Sequence, residues 1–166
     1  MKEQIVIRPV DASEVEILRT LGKSTFRETF QAQNDAESLA AYLRKSFTFE
    51  KVQEQLNSPS SNFYFALVDR EIVGYLKLNL TDDQVEIERV YVRASFQGKN
   101  IGRVLIQKAL AVAKSRKAAW LWLGVWQENK KAIAIYEHYG FVTFKTRQFQ
   151  LGDELQDDFL MKLRIP

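Results

Sequence analysis

Val85-Glu86-Ile87-Glu88-Arg89-Val90-Tyr91-Val92, followed by Arg93-Ala94-Ser95-Phe96 and then Gln97-Gly98-Lys99-Asn100-Ile101-Gly102, decides how the rest of the chain is read. An alternating, β-branched run gives way to a short connection, a glycine-containing turn and a long segment of helical periodicity, so the order is strand, turn, helix. Such a turn sets unpaired backbone N–H groups at the mouth of a helix whose N-terminus carries partial positive charge, and Lys99 and Arg103 add full charges there. A diphosphate fits that mouth. The turn is neither a Walker loop, which needs a longer glycine spacing and a Lys-Ser/Thr end, nor a dinucleotide fingerprint, which needs three glycines. On spacing alone, Gly98 and Gly102 serve equally well to let a strand turn into a tightly packed helix.

Upstream, Ile5-Val6-Ile7 reads as a first strand ended by Pro9, and Asp11-Ala12-Ser13-Glu14 as a capping box. Val15, Leu18, Gly22, Phe26 and Phe30 then form one helical stripe, with Gly22 marking a close contact or a bend. Asn34-Asp35 opens a second helix to about Lys45, with Leu39, Tyr42, Leu43 and Phe47 on one side, and Thr48 opens a third. Residues 57–62 are all turn formers. Residues 63–68 and 72–80 read as a hairpin leading into the strand quoted above, which makes three antiparallel neighbours.

Downstream, Ile101, Val104, Leu105, Ala109 and Val112 line one helical face, and residues 120–126 form the next strand. A strand, helix and strand of this length imply a parallel pair joined by a right-handed crossover. Asn129 caps a further helix ending at Gly140, with Phe141 placed for a C-cap contact. Two last strands, 142–151 and 159–163, flank the segment Gly152-Asp153-Glu154-Leu155-Gln156-Asp157-Asp158.

With 166 residues the chain has room for one domain with a sizeable core, and 46% apolar against 27% charged residues is globular composition. It holds no cysteine, which excludes disulfides, thiolate metal sites and an acyl-cysteine intermediate and fits a cytoplasmic location. The start, Met1-Lys2-Glu3-Gln4, has no apolar leader, and the longest apolar run, 118–126, is far short of the roughly 20 residues that span a bilayer. A net charge of +3 with scattered basic residues gives a mild preference for anionic ligands and none for nucleic acid. The single histidine, His138, cannot build a histidine metal site and reads as a solvent-facing helix residue.

In the strand 120–126, Trp120, Trp122 and Trp126 share a face with Gly124, so a gap opens beside indoles; each tryptophan by itself is also a plain core residue. The order of elements, with Gln97-x-x-Asn100-x-Gly102 at a helix mouth and Asn129-x-x-Ala132-x-x-x-Tyr136-x-x-x-Gly140-Phe141 downstream, resembles the GNAT superfamily of acetyl-CoA-dependent N-acetyltransferases over essentially the whole chain. The family's turn carries glycine where Asn100 stands, and asparagine tolerates positive φ better than other residues with a side chain. Leu123-Gly124-Val125-Trp126, the helical front and the segment 151–158 resemble the bacterial Pai-type spermine/spermidine acetyltransferases.

The resemblance implies an α/β (α+β) GNAT fold in a single domain, 1–166: a mixed, mostly antiparallel sheet with one parallel step and helices on both faces. It implies acetyl-CoA as co-substrate without a metal. Backbone groups of the stretch Val90, Tyr91 and Val92 would pair with the pantetheine arm. Backbone N–H groups of Gln97, Gly98, Lys99, Asn100, Ile101, Gly102 and Arg103 would hold the pyrophosphate, Asn129 would contact the pantetheine or phosphate region, and Tyr136 would stand near the thioester sulfur. A phenol, with a pKa of about 10, can hand a proton to a departing thiolate where an ionised carboxylate could not. The alternative for Tyr136 is a core aromatic on the buried side of its helix, with the acid favoured.

An attacking amine must lose a proton. On a regular strand Glu86 and Glu88 share a side with Val90 and Val92, and Glu88 is the better-placed base, acting directly or through water. Both are otherwise a solvated face or are paired with Arg89 or a lysine. Asp153, Glu154, Asp157, Asp158 and Glu28 form a candidate acidic lining for a cationic acceptor, although a hairpin tip is often acidic for solubility alone. The favoured reaction is direct transfer to a primary amine such as spermidine in a ternary complex, by a monomer or homodimer, with no nucleic-acid or membrane partner. Protein N-termini, lysines, amine antibiotics, a non-catalytic acyl-CoA sensor and a basic nucleic-acid binder are the alternatives, the last needing a cationic helix face that the sequence does not show.

Overall fold

A computed structural model describes residues 4–166. The leader-free reading of Met1 to Glu3 lies outside the described residues. The chain runs β1 (Ile5–Pro9), α1 (Val15–Phe30), α2 (Ala36–Ser46), α3 (Phe49–Asn57), β2 (Ser61–Val68), β3 (Glu71–Leu80), β4 (Gln84–Val92), α4 (Ile101–Ser115), β5 (Trp120–Trp126), α5 (Lys130–His138), β6 (Val142–Leu151) and β7 (Glu154–Arg164).

The strands form one sheet in the order β1-β2-β3-β4-β5-β7-β6. Every neighbouring pair is antiparallel except β4 and β5, which run parallel because α4 carries the chain back across the sheet. One face packs on α4 and α5 through Val85, Ile87, Leu105, Ala109, Leu121, Leu123 and Tyr136. The other packs on α1 to α3 through Leu18, Phe26, Leu43, Phe47, Phe65 and Tyr75. The fold expected from the resemblance is the one observed.

Local sequence explains the starts and turns. Asp11 and Glu14 form the expected reciprocal capping box, Asp35 caps α2 by accepting from Ser38 N at 3.0 Å, and Thr48 caps α3. The β2–β3 hairpin closes through Asp69 and Arg70, both at positive φ, as a two-residue loop of the type that matches strand twist. Gly22 is the close contact: a Cβ there would come within 2.6 Å of the Phe47 ring.

Three readings need correction. The loop placed at residues 57–62 is shorter, because α3 continues to Asn57 and β2 begins at Ser61. The inward face of α4 carries Ile106 and Ala113 along with Ile101, Leu105 and Ala109, while Val104 and Val112 are half-buried at its margin. The acidic segment is not a connection: only Gly152 and Asp153 turn, and Glu154–Arg164 is a strand between β5 and β6. Its polar residues hid an alternation in which Gln156, Asp158 and Leu160 are buried.

Candidate active site

β4 and β5 pair only from Gln84–Trp120 to Ile87–Leu123, and beyond that point they part. The parting is set by a bulge. Lys77 opposes Arg89 and Leu78 opposes Ile87, which leaves Glu88 as the extra residue in β4. The bulge also reverses the alternation: Val85 and Ile87, then Val90 and Val92, face the α4 side, while Tyr91 joins the α1 side. Glu86 and Glu88 therefore do not share a face with Val90 and Val92, because the strand is not regular at Glu88.

Arg93 N donates to Val73 O at 2.8 Å, so the ladder's alternation points the backbone groups of Tyr91 at β3 and those of Val90 and Val92 into the opening. Gln97 Nε2 donates to Val92 O at 3.1 Å and ties the turn to the strand. The turn has Gly98 at φ 83° and Asn100 at φ 68°, so asparagine does adopt the left-handed conformation there. No side chain caps α4, and the N–H groups of its first turn, Ile101, Gly102 and Arg103, face outward without intrahelical partners.

The opening leads into a cavity of about 780 Å³ lined from the α4 mouth through to α1, α2 and β6. Its wall includes Glu88, Val90, Tyr91, Val92, Gln97, Gly98, Asn100, Ile101, Gly102, Arg103, Asn129 and Tyr136. Of the expected site residues, Lys99 is not on that wall; its ammonium stands over the Phe96 ring. Asn129 Oδ1 accepts from Ala132 N at 3.3 Å and so caps α5, which sets the pitch at which Tyr136 enters the cavity. Tyr136 is 7% exposed, packed edge-on against Phe141, and burial pushes its phenol above the ordinary value.

At the far end Phe26 stacks on Tyr42, Phe30 meets Trp126, and Phe149 closes on Tyr42. Carboxylates sit among these rings. Asn79 Nδ2 donates to Glu86 at 2.9 Å and to Glu88 at 3.2 Å, and Lys77 ion-pairs with Glu88. Burial raises Glu86. Burial also works to raise Glu88, but Arg89 and Lys77 together hold it below the usual carboxylate value. Asp158 is buried and raised for that reason, with Arg147 opposing the shift.

Among the other acidic candidates, Glu28 accepts from Ala94 N, and Glu154 accepts from Asp35 N at 3.3 Å. Neither they nor Asp153 and Asp157 line the cavity. Trp126 does, whereas Trp120 lies under Lys162 at 4.4 Å, and the space over Gly124 is taken by the Arg147 guanidinium. Sequence reading missed Lys77, Asn79 and Arg147. The first two were visible as polar residues spaced by two in an otherwise apolar strand, across a hairpin from two glutamates spaced by two. Among the described residues no group of three or more His, Cys, Asp or Glu could hold a metal ion, and no helix is long and apolar enough to cross a membrane.

A model of the acetyltransferase (GNAT) family matches residues 25–141. The chain belongs to the GNAT acetyltransferase family. An uncharacterized N-acetyltransferase in the pepI 3′ region of Lactobacillus delbrueckii subsp. lactis is 38% identical over 150 residues, 86% of this chain and 87% of that one. The spermidine N(1)-acetyltransferase of Thermoplasma acidophilum is 23% identical over 162 residues, 95% and 96% of the two chains. In solved structures the same architecture occurs in a PaiA N-acetyltransferase from Thermoplasma acidophilum in complex with coenzyme A, with a TM-score of 0.82 at 20% identity over 97% of this chain and 99% of that one. This GNAT protein is accordingly an acetyl-CoA-dependent N-acetyltransferase.

The residues fit the group that such a reaction needs. The backbone of Val90 and Val92 where the strands part could pair with an amide-bearing arm, and the uncapped N–H groups at the left-handed turn before α4 could hold phosphates.

Proposed function

We propose that this enzyme transfers the acetyl group of acetyl-CoA directly to a primary amine of a polyamine such as spermidine. The observation that carries the reading is a single cavity with a phosphate-holding helix mouth at one end, a buried tyrosine between, and an aromatic box containing carboxylates at the other. The aromatic faces and the carboxylates both favour an alkylammonium chain. The 23% identical spermidine acetyltransferase supports the same acceptor class.

In the transfer, the backbone of Val90 and Val92 aligns the thioester, and the N–H groups from Gln97 to Arg103, with Asn129 nearby, fix the cofactor's phosphate end. The amine nitrogen attacks the thioester carbonyl, its C–N bond forms, and the C–S bond breaks. Tyr136 donates its phenolic proton to the departing sulfur. Burial away from water pushes the phenol up, so it is protonated at neutral pH and holds the proton it donates.

The proton lost by the amine goes to the glutamate pair bridged by Asn79. Glu88, the base expected from the sequence, is committed to Lys77 and held low, which makes it the weaker acceptor. Burial makes Glu86 the stronger one, and we assign the base to Glu86 with Glu88 orienting it through Asn79. Mass-spectrometric identification of acetylated products after incubation with acetyl-CoA and an equimolar mixture of spermidine, spermine, a lysine peptide and an aminoglycoside tests the acceptor. Acetyl-spermidine or acetyl-spermine should dominate; exclusive acetylation of the peptide or the antibiotic would replace the polyamine reading.

A further inference from the structure

Arg147 reaches the acceptor end of the cavity through the space that Gly124 leaves. It belongs to the edge strand β6, opposite Asp158 of β7, which in turn opposes Trp126 of β5. Opposed residues share a face of a sheet, so Arg147, Asp158 and Trp126 point the same way, and Gly124, two residues from Trp126, lies on that face too. The guanidinium spans β7 to reach β5: a Cβ on Gly124 would fall 2.6 Å from Arg147 Nη2. From there Nη2 is 3.6 Å from Asp158 Oδ2, and the same positive charge bears on Glu86 two strands beyond β7. The cation lies over a glycine with a carboxylate on either side.

The Arg147–Asp158 contact is loose. A separation of 3.6 Å exceeds hydrogen-bond length, and the Arg147 side chain is 45% exposed against 12% for Asp158. Such a pair opens from the arginine side, since a half-exposed guanidinium on an edge strand regains water when it swings out. Asp158 left alone would be an uncompensated charge in the cavity. A second cation in the same position removes that penalty.

We propose that Arg147 is a resident stand-in for the substrate: the non-reacting ammonium of a polyamine displaces the Arg147 guanidinium from Asp158 and takes its place over Gly124. The inference rests on the reading of this cavity as an amine acetyltransferase site and adds a specificity-determining pair to it. The stand-in keeps Asp158 compensated before substrate arrives, and it yields only to a ligand that brings a replacement charge. A simple monoamine, spending its single nitrogen on the reaction, has nothing to exchange. An Arg147 that instead stayed in place to hold a carboxylate on the acceptor would make the opposite demand on its removal.

The test is calorimetric titration of spermidine into the full-length protein saturated with CoA, for wild type, Arg147→Gln and Asp158→Asn, with butylamine as the monocation control. Removing the competing cation should tighten spermidine by about three- to ten-fold, the range of a partly exposed ion pair. Removing the carboxylate should weaken it by about ten-fold or more, and butylamine should respond to neither change. Arg147→Lys, which keeps a cation and disturbs the strand least, should fall between wild type and Arg147→Gln. Spermidine binding no tighter in Arg147→Gln than in wild type, or absent from wild type, overturns the inference. Acetylation of spermidine by wild type, followed in the same preparations, judges the underlying reading separately: product formed with an unchanged Arg147→Gln affinity rejects the stand-in and leaves the acetyltransferase reading intact.

Discussion

Lys77 of β3 and Glu88 of β4 are ion-paired across the sheet, and the bulge that parts β4 from β5 is centred on Glu88 itself. The Lys77 side chain is 5% exposed and the Glu88 side chain 35%. Parting β4 from β5 and fixing a buried charge are thus tied to one residue.

Glu88→Gln strands Lys77, whose ammonium burial already destabilises. We expect a loss of about 2–3 kcal/mol at neutral pH, less than for a fully buried pair because Glu88 is partly solvated. The sign with pH follows from the depressed carboxyl: its contribution is complete above the ordinary value of 4.5 and is lost as pH falls through the lower folded value. Urea unfolding at neutral and acidic pH should show wild type losing its advantage over the variant in acid.

Glu86 lies on the other side of the titration scale. Its folded carboxyl is above 4.5, so a base at Glu86 is silenced as pH falls through that raised value. The acidic limb of kcat/KM for wild type should therefore lie above that of an unperturbed glutamate and should persist in Glu88→Gln. Glu86→Gln should cost about a hundred- to ten-thousand-fold in kcat while leaving CoA affinity alone.

Tyr136→Phe keeps the ring that packs on Phe141 and removes the proton. The expected result is a fall in kcat of about a hundred-fold or more with CoA affinity within about two-fold of wild type. Because burial raises the phenol, loss of its proton should not be what limits wild-type activity at or below the value of a free tyrosine.

The turn before α4 makes a conformational prediction. Asn100 at φ 68° can be replaced by glycine without strain, and Asn100→Gly should bind CoA at least as well as wild type. A β-branched residue there costs about 1–3 kcal/mol of strain. Asn100→Val should therefore raise the KM for acetyl-CoA and leave that for the amine unchanged.

Gly152 makes another. It has φ 59°, and a Cβ on it would meet the Cα and Cβ of Ser38 in α2 at 2.7 Å. Gly152→Ala should unseat the β6–β7 hairpin from α2, loosen the bonds from Gln156 to Asn34 and from Asp35 to Glu154, and raise the amine KM more than the acetyl-CoA KM.

The helices, the crossover and the turn at Asn100 were legible because each has a local cause in the sequence: Asp11, Asp35, Thr48 and Asn129 cap, Asp69-Arg70 and Gly140 turn, and apolar spacing marks the buried faces. Tyr136 was named through the family resemblance, and its position on the cavity wall follows from the helix that Asn129 caps. What failed were features with non-local causes. The bulge at Glu88 reverses alternation in a strand that reads as regular, and it shows only in the register against β3, where Lys77 opposes Arg89 and Leu78 opposes Ile87. β7 has an acidic beginning that reads as a loop until it is set between β5 and β6, where Gln156 and Asp158 find partners. The gap over Gly124 was legible, but its occupant was not, since Arg147 comes from an edge strand brought there by the sheet order.

The central claim, that the cavity between β4 and β5 moves an acetyl group from CoA to a polyamine, is tested most directly by the initial rate of CoA thiol release from acetyl-CoA with and without spermidine. We predict release that depends on spermidine, saturates with it and collapses in Tyr136→Phe and Glu86→Gln. Tight CoA binding with no thiol release in the presence of spermidine would contradict it.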